Sequence, residues 1–148
     1  MLNMRKNIII GLLAVFLFLS FKQIEKAKTE VVTLAETTKS WNGDDLPNYP
    51  EGKPKITVLK ITIPPHFKLS VHKHLVINAG VLIKGKLTVV DENKNTLHLK
   101  AGDALVEMVN KYHYGINEGN KPAEIIVFYA GAEGIPITVA KEVQSEDH

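Results

Sequence analysis

No interior stretch of this chain carries apolar residues at helical spacing for as many as 11 residues, whereas short runs of apolar and β-branched residues recur at close intervals. Gly, Pro, Asn or Asp closes almost every run. Ile56–Ile63 stops at Pro64-Pro65, and proline cannot donate to a sheet ladder. Ser70–Ile77 and Val81–Val90 follow. Asp91–Asn95 has turn composition, and Thr96–Lys100 returns with the alternation of a hairpin. Ala104–Val109, Ala123–Gly131 and Ile137–Ala140 complete the series, and Val31–Thr38 reads as a further, N-terminal strand. Many short strands at this spacing predict an all-β sandwich or a closed barrel.

Between Trp41 and Lys55 the chain is rich in Pro, Gly and Asx, a loop that Trp41 and Tyr49 are expected to pin to the barrel. Phe67, Leu69, Leu82, Val106, Met108, Ile126 and Phe128 are candidates for the core or a cavity wall, and period 2 does not tell which of them line a pocket. Residues 56–140 are thus the expected barrel, 25–55 an extension and loop, and 141–148 a polar tail. At 148 residues the chain has room for one domain with a real core.

Arg5 and Lys6 precede the 14-residue apolar run Ile8–Phe21, the layout of a secretory signal over residues 1–24. The run is shorter than the ~20 residues a spanning helix usually needs. It is read as a leader that is cleaved on export or kept as an N-terminal membrane tether, with a periplasmic or extracellular destination. Three of the 18 basic residues (Arg5, Lys6, Lys22) go with the leader. The remaining 15 basic and 16 acidic side chains leave a net charge of −1. That balance offers no concentrated basic face, so nucleic acid is not an expected partner. Without cysteine, disulfides, thiol chemistry and a cysteine-linked lipid anchor are excluded. Phosphate loops and the Gly-x-Ser-x-Gly, His-Glu-x-x-His and EF-hand patterns do not occur.

Three of the six histidines are informative. His72 and His74 are two apart in a strand-like segment, so both imidazoles leave the same face within reach of one ion. A third imidazole from a later strand would complete a nitrogen-rich site that suits Fe, Mn, Zn, Ni or Cu alike. His113 is 39 residues beyond His74, and sequence distance does not place it beside the pair. His66 lies in a Pro-Pro-His-Phe loop, either a surface residue or a substrate contact; His98 alternates with Leu97 and Leu99 and belongs on a polar face.

The same residues resemble the two motifs of the cupin superfamily. The first, a His-x-His pair followed by a carboxylate and then Gly, matches His72, His74 and Gly85; the second starts at Gly102 and runs to His113 and Asn117. The resemblance covers about residues 56–130. It implies a small double-stranded β-helix barrel, in which His72, His74 and His113 bind one divalent transition metal. It also implies a small-molecule ligand or substrate and a homodimer, to which the N-terminal strand would contribute.

Three departures stand out. Asn78 occupies the position of the usual carboxylate, as a neutral fourth ligand or a substrate-orienting amide, while Met108 and Asn110 replace the second motif's Pro and Gly. Glu107 is close enough in sequence to be considered as a substitute ligand. Two functions therefore stay open: a metal-dependent cupin that binds and transforms a small polar molecule, or a non-enzymatic ligand-binding or sensing barrel, with or without metal.

Overall fold

The computed structural model describes residues 28–142; the predicted leader and most of the polar tail lie outside the described residues. Among the described residues there is no helix, and ten strands belong to one compact unit that begins at Val32. They are β1 (Pro54–Ile63), β2 (Phe67–Lys68), β3 (His72–His74), β4 (Ile77–Lys84), β5 (Lys86–Asp91), β6 (Thr96–Lys100), β7 (Ala104–Val106), β8 (His113–Asn117), β9 (Ala123–Ala132) and β10 (Thr138–Ala140). One sheet has the order β1-β9-β4-β7; the other runs β10-β3-β8-β5-β6, with β2 added on β8. Every named pairing is antiparallel.

The alternation of β9 shows how the sandwich closes. Ala123, Ile125, Val127 and Tyr129 are buried, while Ile126 and Phe128 turn outward. Opposite them, Leu87 and Val89 of β5 and Leu99 of β6 fill the interior from the second sheet. Fully burying each such Leu, Ile or Val side chain contributes about 1.5–3 kcal/mol. Ile63 closes the core at the end of β1, where Pro64 stops the ladder.

Gly85 hands the chain from one sheet to the other. The run Val81–Val90, read as one strand, is divided here: β4 pairs with β7 and β9, and β5 pairs with β6 and β8. The backbone at Gly85 has φ +79°, and a Cβ there would stand 2.9 Å from the Pro122 carbonyl oxygen. Glycine is required by both conformation and space. Ser70–Ile77 is divided similarly, with only His72–His74 paired as β3 before Ile77 opens β4.

Several expectations are corrected. Val31–Thr38 forms no strand: its side chains are exposed, and β-branched composition does not make a strand without a partner edge. Tyr49 is 74% exposed and does not pin the loop, whereas Trp41 packs against the core. Phe67, Ile126 and Phe128 are 48%, 39% and 46% exposed, on outward faces. Leu82 and Met108 are fully buried and Leu69 packs on the core, as expected.

The outer surface of the β1-β9-β4-β7 sheet is consequently apolar. Val58 pairs with Phe128, which pairs with Ala79; beside them Ile126 pairs with Val81. At one end of this face Glu124 accepts ion pairs from Lys60 (2.6 Å) and Lys84 (3.3 Å).

Candidate metal centre

His72 and His74 face inward from β3, and His113 opens β8 directly opposite His72. Topology thus answers what sequence distance leaves open. The ring centroids are 4.6 to 5.1 Å apart, and one ligand atom from each ring lies within 4.8 Å of the others.

Each ring is held by its Nδ1. His72 Nδ1 contacts the Ser70 carbonyl at 2.7 Å, and His113 Nδ1 contacts that of Lys111 at 3.1 Å. His74 Nδ1 has the Ile137 carbonyl at 3.2 Å and the Thr138 hydroxyl at 3.0 Å. A carbonyl only accepts, so each Nδ1 carries the proton and donates, which leaves the lone pair on Nε2. His113 Nε2 is buried without any hydrogen-bond partner. Burial disfavours the imidazolium of all three, lowering His72 and His113 below 6.5 and His74 to about 3. Three neutral rings, anchored from behind and converging through free Nε2 atoms, fit the donor set of a divalent transition metal.

The opposite sheet presents a second row. Asn78 of β4 pairs with Tyr129 of β9, and the Ala79–Val106 register places Glu107 on the other side of Asn78. The Glu107 amide donates to the Asn78 carbonyl at 3.1 Å. All three side chains line the same cavity as the histidines. Asn78 Nδ2 makes a long 3.4 Å bond to the Val76 carbonyl, and its Oδ1 is buried without a partner. Glu107 Oε2 receives the Trp41 indole N–H at 3.3 Å and stands 3.7 Å from His113 Nε2. That last approach is not an ion pair, because burial opposes the charged form of each group and raises Glu107 from 4.5 to about 7. Burial likewise pushes the Tyr129 hydroxyl up and keeps it a neutral group.

Beyond the polar row the cavity is apolar, with Ile61, Leu69, Leu87, Leu105 and Val127 on its walls. Its volume is about 60 Å³, and among the described residues no Lys or Arg side chain lines it.

The remaining candidates fall elsewhere. His66 has φ 56° on the β1–β2 loop, where its Nε2 contacts Asn120 Oδ1 at 2.9 Å, and it does not line the cavity. His98 is exposed beside Thr88. Tyr114 turns away from the site beneath Lys68, and Tyr112 lies near Lys73 and Lys141. Asn117, at the end of the second motif, has a framework role: its amide donates to the Ile63, Pro64 and Lys121 carbonyls, and its Oδ1 accepts from the Gly119 amide. Tyr129, and the support of Glu107 by Trp41 and of His74 by Thr138, were not read from the sequence. Alternation on β9 from Glu124 would have turned Tyr129 inward; the other two contacts span 66 and 64 residues and carry no local signal.

Comparison with known proteins agrees with this architecture. The cupin domain family matches residues 59–129. Oxalate decarboxylase of Lactobacillus farciminis, in its formate complex, superposes with a TM-score of 0.51 at 21% identity, over 57% of this chain and 26% of that one. DMSP lyase DddQ from Ruegeria pomeroyi gives 0.54 at 15% identity, over 62% and 45% respectively. An uncharacterised Klebsiella pneumoniae protein with a double-stranded β-helix domain gives 0.51 at 19% identity, over 66% of this chain and 87% of that one. The chain therefore spans about a quarter and under half of the two enzymes' lengths. No curated protein matches it. Both motifs, both sheets and the family match agree: residues 59–129 match the cupin domain family, and the chain has the double-stranded β-helix fold.

Proposed function

We propose that this cupin holds one divalent transition metal on His72, His74 and His113 and uses it to bind and transform a small molecule outside the cytoplasm. The observation that carries the reading is the convergence of three neutral imidazoles, each fixed through Nδ1 to a carbonyl, on one buried point. When bound, the metal supplies Lewis acidity, and redox chemistry as well if it is iron.

The residues that line the cavity support one class of substrate. A cavity of about 60 Å³ with aliphatic walls favours a compact apolar body carrying one polar, metal-seeking group. Since no Lys or Arg among the described residues lines it, a second anionic group on the ligand would find no cationic partner there. Asn78 Oδ1 offers an acceptor to a ligand O–H or N–H, and Tyr129 closes the far side of that row. Export rests on the basic residues Arg5 and Lys6 before Ile8–Phe21.

A second reading, a binding or sensing barrel without turnover, draws on the neutral Asn78 at the family's carboxylate position. A second copy of the chain is the proposed occupant of the apolar outer face. Across a twofold axis that face would meet itself with its charges confined to one end, where Glu124 is shared by Lys60 and Lys84 within each copy.

The test is metal content of the untagged protein isolated from its native compartment, beside a His72→Ala/His74→Ala/His113→Ala variant. About one equivalent in the parent and none in the variant is expected. A parent that neither carries nor takes up stoichiometric metal would overturn the metal reading. Turnover of small carbonyl or carboxylate compounds that disappears on chelation separates the enzyme from the sensor, which would bind without converting.

A further inference from the structure

We propose that Glu107 is the anionic ligand of this centre, supplied from the strand beside the one the cupin pattern uses. The inference rests on the metal reading above and names a ligand that this reading leaves open. In the motif the carboxylate belongs at position 78 of β4, where this chain has Asn78. Glu107 follows β7 directly and is the cross-strand neighbour of Asn78, joined to it by the 3.1 Å bond between the Glu107 amide and the Asn78 carbonyl. Side chains opposite one another across an antiparallel ladder leave the same face. A carboxylate at 107 therefore enters the cavity at the level where one at 78 would have entered, displaced by one strand.

Three observations separate Glu107 from a carboxylate that is buried by accident. Its Oε2 is 3.7 Å from His113 Nε2, and that nitrogen has no hydrogen-bond partner. Two nitrogen or oxygen donors on one ion, each about 2.1 Å from it, are about 3–3.4 Å apart. The observed spacing is near that value and too long for a hydrogen bond. Next, Trp41 Nε1 donates to the same Oε2 at 3.3 Å and holds the carboxylate at the histidine row. Outer contacts of this kind orient metal ligands. Finally, the Trp41 indole and the Met108 backbone amide do not offset removing the carboxylate from water, since desolvation outweighs both, so the residue costs the metal-free fold stability. The cost has a use if a cation arrives. Three neutral imidazoles and one carboxylate then leave the site with the same compensating charge that the motif's own ligand set provides. Asn78 is released from ligation, and its Oδ1 is available to a bound molecule.

The experiment is a competition titration of Mn(II), and separately Zn(II), against a chromophoric chelator. It uses the full chain as parent, Glu107→Gln, Asn78→Ala and the exchange variant Asn78→Glu/Glu107→Asn. Circular dichroism of each metal-free protein establishes that it is folded, and the Co(II) absorption spectrum reports the ligand field independently of affinity. Glu107→Gln is expected to weaken binding at least tenfold and to shift the Co(II) spectrum. Asn78→Ala is expected to weaken binding less than threefold, and the exchange variant to return within about threefold of the parent. A Glu107→Gln protein that binds within threefold of the parent with an unchanged Co(II) spectrum overturns the assignment. So does an Asn78→Ala loss as large as that of Glu107→Gln. A parent that binds neither metal overturns the centre itself, a failure distinct from a parent that binds without needing Glu107.

Discussion

Buried titratable groups on the two facing rows pull stability in opposite directions with pH. Burial lowers His74 from 6.5 to about 3, so between these values the unfolded chain holds a proton that the folded chain lacks. Its contribution is complete above pH 6.5 and is lost as the pH falls towards 3. Glu107, raised by burial from 4.5 to about 7, holds a proton in the fold that the unfolded chain has released, so its contribution falls as pH rises from 4.5 to 7. Glu107→Gln abolishes only the second effect. In excess chelator, the variant should melt close to the parent at pH 5 and several degrees above it at pH 8, a gain on the order of 2–3 kcal/mol. A melting difference equal at both pH values, followed by scanning fluorimetry, would show that the carboxylate is not desolvated. A substitution that strengthens the empty fold while weakening metal affinity is the expected mark of a functional residue. Asn110 poses a different question at the same scale. It stands where the family's second motif has Gly, and its φ of 61° is left-handed, which Asn tolerates better than other side chains. Its amide donates to the His74 carbonyl at 2.7 Å, so this turn also positions a histidine. Asn110→Gly should be near neutral in urea unfolding, whereas Asn110→Val should cost about 1–2 kcal/mol; equal effects would mean that φ does not govern the site.

At the scale of elements, Gly85 is where the chain changes sheets, and an added methyl would meet both the Pro122 carbonyl oxygen at 2.9 Å and the Ala123 Cα at 3.0 Å. Both obstacles are backbone. Gly85→Ala should therefore destabilise by at least about 1–2 kcal/mol, while Gly102→Ala, with open space around its Cβ position, suffers only the penalty of its φ of +97°. Urea midpoints rank the two, and the order Gly102 worse than Gly85 would contradict the crowding seen here. Gly85 also marks how far the elements were legible. Strand-forming segments, and the turns at Pro64 and Asp91–Asn95, could be read locally because proline and Asx chemistry act over a few residues. The division at Gly85 was not, since no proline or Asx residue interrupts Val81–Val90 and only tertiary pairing tells which sheet each half joins. Inward and outward parity was lost at Ile126 and Phe128 for a related reason: β9 is apolar on both faces, so period 2 has no contrast to detect. His72 and His74 could be placed on one face from spacing alone. His113 could not, because its pairing with His72 is a non-local register that only the motif resemblance anticipated.

For the whole molecule, the apolar outside of the β1-β9-β4-β7 sheet is the surface proposed to meet a second copy. Val58 and Phe128 are paired across β1 and β9 and are 59% and 46% exposed. Contiguous apolar surface of this kind marks interaction sites more often than free surface. A twofold contact buries the same patch from both copies, so each substitution on it acts twice. Val58→Lys and Phe128→Glu made separately should each split a dimer, because each places an unpaired charge in its centre. Neither residue lines the cavity, so the metal content of both variants should match the parent. Sedimentation velocity of the parent and the two variants checks the first expectation, and metal analysis the second. A parent that sediments as a monomer at tens of micromolar removes the dimer from the reading and leaves the three histidines untouched, since all of them come from one chain. A variant that remains dimeric would move the contact to another face. Loss of metal together with loss of the dimer would instead mean that the sheet bearing Asn78 and Glu107 depends on the second copy for its position.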